Sequence, residues 1–243
     1  MERYKIIFAY DGTQFDGSQR QARSRTVQSV LESALGKLGW NGKSILLAGR
    51  TDTGVHASGQ VAAVDLSWNH TVDDLRNALN ANLPADIAVN SVNKVEAHFH
   101  PRFDARSRHY RYKVYVQSTR DPLRDRYAWR VWPEPEAALL SEAASCLVGR
   151  HDFSAFGSSP SKTGSTVRSI LLSQWNADGD QWIYDVIADA FLYRMVRRLV
   201  FGQMAVGLGK LRLEIFKQAL EGQVKFPAGL ASPAGLTLVE VKY

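Results

Sequence analysis

The chain has 243 residues, 45% apolar and 22% charged, which excludes a disordered or low-complexity protein. A single cysteine, Cys146, excludes a disulfide framework and any multi-cysteine zinc site. Thirty basic residues against twenty-four acidic ones leave a net charge of +6, which favours a polyanionic partner through counterion release.

The arginines are bunched. One group is Arg20, Arg23 and Arg25, a second is Arg102, Arg106, Arg108 and Arg111 with Lys113, and a third is Arg194, Arg197 and Arg198. The start, Met1 to Lys5, has no apolar signal core, and the third arginine group interrupts the longest mostly apolar stretch, 188–209. The expectation is a soluble, cytoplasmic chain without a membrane segment.

In chain order, Met1–Tyr10 reads as a strand running into the turn Asp11-Gly12-Thr13. Thr26 is an N-cap for a helix with Val27, Val30, Leu31, Ala34, Leu35 and Leu38 at helical spacing, closed near Gly39. Ile45–Leu47 is a short buried strand, Gln60–Leu66 another, Val72–Asn82 a helix ending before Pro84, and Ile87–Val95 a strand. From His109 to Val116 the pattern alternates. Tyr110, Tyr112, Val114 and Val116 share one face, and His109, Arg111, Lys113 and Tyr115 share the other.

Glu136–Val148 reads as a helix stopped by Gly149, and strands over 166–177 and 181–189 are joined at the hairpin signal Asp178-Gly179. A helix is expected over 190–208, with Phe191, Leu192, Met195, Val196, Leu199 and Val200 on a core-facing arc opposite the three arginines. A shorter helix over 213–221 and a strand over 236–243 close the chain. Mixed elements with frequent hairpin-like links predict an α/β architecture of the α+β type. Mostly antiparallel sheets are expected in two similar halves, 1–105 and 106–243.

Asp52 follows the strand at 45–47 in a loop bracketed by Gly49 and Gly54, with Arg50 two residues before it. Such glycines admit either a tight Asx-type turn or close approach of a ligand. No Gly-Lys-Ser/Thr follows, so the loop is not a phosphate cradle. The segment Phe8-Ala9-Tyr10-Asp11-Gly12-Thr13 superficially matches the first motif of aspartyl-phosphate hydrolases, but Ala9 stands where their nucleophilic aspartate is needed. Tyr110 and Tyr112 among arginines suit either a sheet core or the stacking of unpaired bases. His98 and His100 lack a third ligand in register, so they read as structural or RNA-facing and not as a metal site.

Several segments together resemble one family. Gly49-Arg50-Thr51-Asp52-Thr53-Gly54-Val55-His56-Ala57 is similar to the active-site motif of the TruA-type tRNA pseudouridine synthases. The N-terminal signature from Tyr10 through Gln21, the helix start Thr26-Val27-Gln28, and Asn80–Val89 match in order, as does Phe99–Ala105. Arg108–Tyr112, Gly149–Phe153, Phe191-Leu192 with Met195–Arg197, and Ala231–Leu236 complete the set. Two departures are visible: Ser18 where the family usually has Trp, and Thr53 where alanine is common.

The resemblance implies isomerisation of uridine to pseudouridine in the anticodon stem-loop of tRNA, at tRNA positions 38, 39 and 40, by a homodimer with no cofactor and no metal. It implies a basic cleft between the halves and helices on one side of each sheet. It makes Asp52 the catalytic aspartate, Arg197 its partner, and Tyr110 the residue that stacks on the target uracil. Leu236 would line the base pocket and Arg50 would hold or flip the substrate, with His56 and Arg108 completing the substrate-binding set. The aspartate must be ionised in a dry pocket; desolvation disfavours that and a nearby guanidinium opposes the penalty.

Overall fold

The computed structural model describes residues 1–159 and 163–243. Among them the chain forms β1 (Glu2–Tyr10), α1 (Val27–Lys37), β2 (Leu46–Leu47), β3 (His56–Leu66), α2 (Val72–Asn82), β4 (Ile87–Val95), β5 (Ser107–Val116) and β6 (Trp129–Val131). It continues with α3 (Ala137–Ser145), β7 (Gly149–Asp152), β8 (Val167–Asp178), β9 (Gln181–Ala188), α4 (Met195–Gly207), α5 (Leu213–Leu220) and β10 (Leu236–Lys242). Short 3-10 turns lie at Gly12–Gln14 and Pro233–Gly235. The fold is mixed α/β of the α+β type, with antiparallel pairing dominant.

Two compact units result: Met1–Arg106 with Thr237–Tyr243, and Ser107–Leu236. The sequence boundary at 105/106 lies beside the first crossing. The chain end returns to the first unit because Thr237 and Leu238 pair in parallel with His56 and Ala57.

In the first unit the sheet order is β4-β1-β3-β10, with β2 also on β3. Alternation in β1 buries Tyr4, Ile6, Phe8 and Tyr10 on one face, as a period of two requires. Helix α1 starts in a capping box in which Thr26 Oγ1 accepts from the Ser29 N–H. It buries Val27, Leu31, Ala34 and Leu35. Thr71 and Asp74 form the same device at the start of α2, where Asp73 and Asp74 also favour the positive end of the helix. Strand β3 begins four residues before the expected Gln60, and most of it is buried on both faces, so it shows no alternation to read.

The second unit has the order β5-β9-β8-β7, all antiparallel, with β6 parallel to β5. The β8–β9 hairpin turns through Gly179 at φ 59°. Tyr115, on the face read as charged, is fully buried. Its hydroxyl donates to Asp125 at 2.6 Å and the Arg124 guanidinium lies 4.3 Å from its ring centre.

The expected helix over 190–208 is shorter at its start and runs from Met195 to Gly207. Phe191 and Leu192 are therefore not on its core arc. Arg194 takes a left-handed conformation, φ 61° and ψ 8°, which a continuing helix forbids and which costs a non-glycine residue about 1–2 kcal/mol. Met195, Val196, Leu199 and Val200 do form its buried stripe.

Candidate active site

In the first unit, the loop carrying Asp52 is gripped by the N-terminal turn. Ser18 N–H donates to Thr51 O at 3.1 Å, Thr51 N–H donates to Ser18 Oγ at 2.8 Å, and Gly54 N–H reaches Phe15 O at 3.4 Å. Below it, the Tyr10 and Thr51 hydroxyls share a 2.8 Å hydrogen bond, and Gln60 Nε2 donates to Gly49 O at 3.2 Å. Burial pushes the Tyr10 phenol up to about 12, against the opposing hydrogen bonds of Thr51 and Gln60, so it stays a neutral structural hydroxyl. Gly17, at φ 84°, permits the grip, because a Cβ there would lie 2.9 Å from Thr51 O.

Asp52 itself is half-buried, and its carbonyl accepts from the Val55 N–H at 3.1 Å. Arg50 is exposed beside it. His56 is 5% exposed. Its Nδ1 accepts from the Gly12 N–H at 2.9 Å and lies 3.2 Å from Asp11 Oδ1, so the ring braces the N-terminal turn. Sequence reasoning placed Asp52 and Arg50 in the loop. It did not find the brace from Tyr10, Ser18 and Gln60, because these contacts bridge distant segments.

The second unit gathers the remaining residues. Tyr110 is buried on β5, with its ring edge-on to Phe191 at 5.1 Å between centres. Arg108 Nη1 donates to Asp189 O at 2.6 Å. Arg197, in the first turn of α4, donates from Nε to Ala231 O at 2.9 Å, and its own carbonyl accepts from the Ala231 N–H at 3.2 Å.

The Tyr112 hydroxyl donates to Ser232 O at 2.7 Å. Burial holds this phenol well above its ordinary range, and the charge of Arg197 pulls the other way. Residues 231–236 are thus pinned from α4 and from β5, and Leu236 ends this loop, 6% exposed. The pins on Ala231 and Ser232 carry no signal in the sequence.

Some expected basic surface is consumed internally. Arg20 pairs with Glu32, Arg25 pairs with Asp86 while lying over the Phe15 ring, and Arg111 pairs with Asp185. Arg23, Arg102, Arg106 and Arg194 are exposed. His100 Nδ1 accepts from the N–H groups of Arg102 and Phe103, closing a turn. Among the described residues no group of three His, Cys, Asp or Glu side chains is placed to hold a metal ion.

The family model described as tRNA pseudouridine synthase matches residues 6–104 and 143–243. The chain is 40% identical over 247 residues to tRNA pseudouridine synthase A of Methylocella silvestris, covering all of this chain and 99% of that protein. It is 38% identical over 251 residues to the protein of the same name from Chloroflexus aurantiacus, with 100% and 89% covered. For the Limosilactobacillus fermentum protein the identity is 37% over 249 residues, with 100% and 96% covered. With matches of this extent running through both units, the chain belongs to the tRNA pseudouridine synthase family.

Proposed function

We propose that this enzyme converts uridine to pseudouridine in the anticodon stem-loop of tRNA, at positions 38, 39 and 40, with Asp52 as its catalytic carboxylate and no cofactor. The observation that carries the reading is the hold on the Asp52 loop by Ser18, Tyr10 and Gln60 in a chain of this family. A carboxylate on a loop braced at both ends is preorganised, as chemistry at a fixed sugar carbon demands.

The reaction breaks the bond from C1′ to N1 of uracil, turns the base, and joins C1′ to C5. The C5 proton leaves and N1 regains one, so the formula is unchanged. Asp52 serves as nucleophile at C1′ or as base at C2′, and both roles require the ionised form. Arg197 is proposed to keep it ionised. Tyr110 is proposed to stack on the uracil while it turns, with Leu236 lining the pocket, Arg50 and Arg108 in the substrate contacts, and His56 bracing the N-terminal turn.

The test incubates unmodified tRNA with the wild type and with Asp52→Ala, and maps pseudouridine by carbodiimide modification. The wild type is expected to modify positions 38 to 40. The variant is expected to modify none while binding tRNA within about tenfold of the wild type. Pseudouridine formation by Asp52→Ala would refute the assignment.

A further inference from the structure

Arg194 is the one non-glycine residue at positive φ among the described residues, and no side chain caps the helix it precedes. The turn around it is firmly held. Tyr193 N–H donates to Ser158 O at 3.0 Å in an isolated antiparallel bridge, Met195 N–H donates to Leu192 O at 3.1 Å, and Arg198 N–H donates to Arg194 O at 3.1 Å. The left-handed residue lets the chain turn between two buried anchors, Leu192 and Met195, while the two residues between them, Tyr193 and Arg194, stay exposed at the surface.

Tyr193 is 53% exposed, and the guanidinium of Arg194 lies 4.8 Å from its ring centre. An unfavourable backbone conformation maintained to display an aromatic ring and a cation suggests a use for that pair. Its chemistry fits nucleic acid: the ring offers a face for an unstacked base, and the guanidinium offers charge to a phosphate. The location agrees, because Phe191, two residues before, packs against Tyr110, and Arg197 follows in the first turn of α4.

We propose that Tyr193 and Arg194 form a substrate-positioning pair, in which Tyr193 stacks on a tRNA base beside the target uridine and Arg194 contacts the adjoining phosphate. This rests on the reading of the chain as a tRNA-modifying enzyme. Neither residue takes part in bond making.

The test compares tRNA affinity, its salt dependence, kcat and KM for the wild type, Tyr193→Ala, Tyr193→Phe and Arg194→Gly. Tyr193→Ala is expected to weaken tRNA binding about tenfold, and Tyr193→Phe to restore it, because every ring has a stacking face. Arg194→Gly is expected to raise the thermal midpoint, since glycine takes positive φ without strain, yet to weaken tRNA binding and reduce the salt slope by about one.

In each weakened variant the loss is expected in KM more than in kcat. Unchanged tRNA affinity in both Tyr193→Ala and Arg194→Gly would overturn the proposal, as would a Tyr193→Phe variant as weak as Tyr193→Ala. Wild-type turnover is scored separately. A wild type that binds tRNA without forming pseudouridine would remove the proposed function, while the binding comparison still decides the pair.

Discussion

Ser18 and Thr51 clasp each other through two hydrogen bonds, one in each direction, at 3.1 and 2.8 Å. Ser18 is fully buried, and its hydroxyl oxygen is the acceptor for the Thr51 N–H, immediately before Asp52. An indole is a donor only and cannot take this place. The Ser18 hydroxyl therefore supplies a specific bond to the aspartate loop that a tryptophan at this position could not make.

Ser18→Ala leaves the buried Thr51 N–H without its acceptor, a loss worth about 1–3 kcal/mol. Urea denaturation is expected to report that loss. Turnover is expected to fall more than tRNA affinity, because the slackened residue adjoins Asp52. Ser18→Thr, which keeps the hydroxyl, is expected to recover most of both, and equal stability of Ser18→Ala and the wild type would refute the clasp.

The loop that anchors Arg197 depends on Gly235. A Cβ at this position would lie 2.6 Å from Lys113 O and 2.7 Å from the Tyr112 ring, and neither is a flexible tip. Gly235→Ala is expected to destabilise by about 1–3 kcal/mol and to lower turnover, because residues 231–236 must shift. Gly36 makes the control: it lies in α1 with nothing within 4 Å of an added Cβ. Gly36→Ala is expected to be stabilising by about 0.5–1 kcal/mol in the same denaturation experiment.

How much of this was legible differs by element, for physical reasons. Helix α2 and strand β4 have the ends their sequence predicts, because Thr71 caps one and the other follows Pro84 and the turn at Ala85-Asp86. The start of α4 departs from its periodicity because Phe191 and Leu192 sit at helical spacing, yet they pack before the helix begins, Phe191 against Tyr110. Local periodicity cannot distinguish these cases.

The same limit applies to the site. Glycines around an acidic residue mark a loop, so Asp52 was visible. The clasp from Ser18 spans thirty-three positions, and the Tyr112–Ser232 bond spans one hundred and twenty. His56 lies within the readable motif, but its bond to the Gly12 N–H makes it a brace, a role that depends on which backbone it meets.

On the opposite face of β5 from Tyr110, Asp185 accepts from Arg111 at 2.9 and 3.2 Å and pairs with His109 at 2.7 Å. Burial would raise its carboxyl, but the bonds from Arg111 and His109 outweigh that and hold it below the usual range. A depressed folded value means stability that is present above the unfolded pKa of about 3.9 and lost as pH falls through the folded one. Asp185→Asn is therefore expected to cost about 1–2 kcal/mol at pH 7, the half-exposed Arg111 limiting the loss. The gap from wild type is expected to close progressively below about pH 4, and a gap independent of pH would show that packing, not charge, holds this site.

Cys146 caps the end of α3, and its thiol donates to the Ala143 carbonyl at 3.3 Å. Burial pushes this thiol up to about 11, against the pull of nearby Lys217, whose charge is shared with Glu142 at 2.7 Å. Only the thiolate attacks electrophiles, so at pH 8 the native protein presents very little reactive sulfur. Reaction with a disulfide reagent is expected to be about ten- to a hundredfold slower than for an ordinary exposed cysteine, since a higher pKa also makes the remaining thiolate more nucleophilic. Unfolding in urea is expected to abolish the difference. A native rate equal to the unfolded one would mean that α3 does not shield the sulfur.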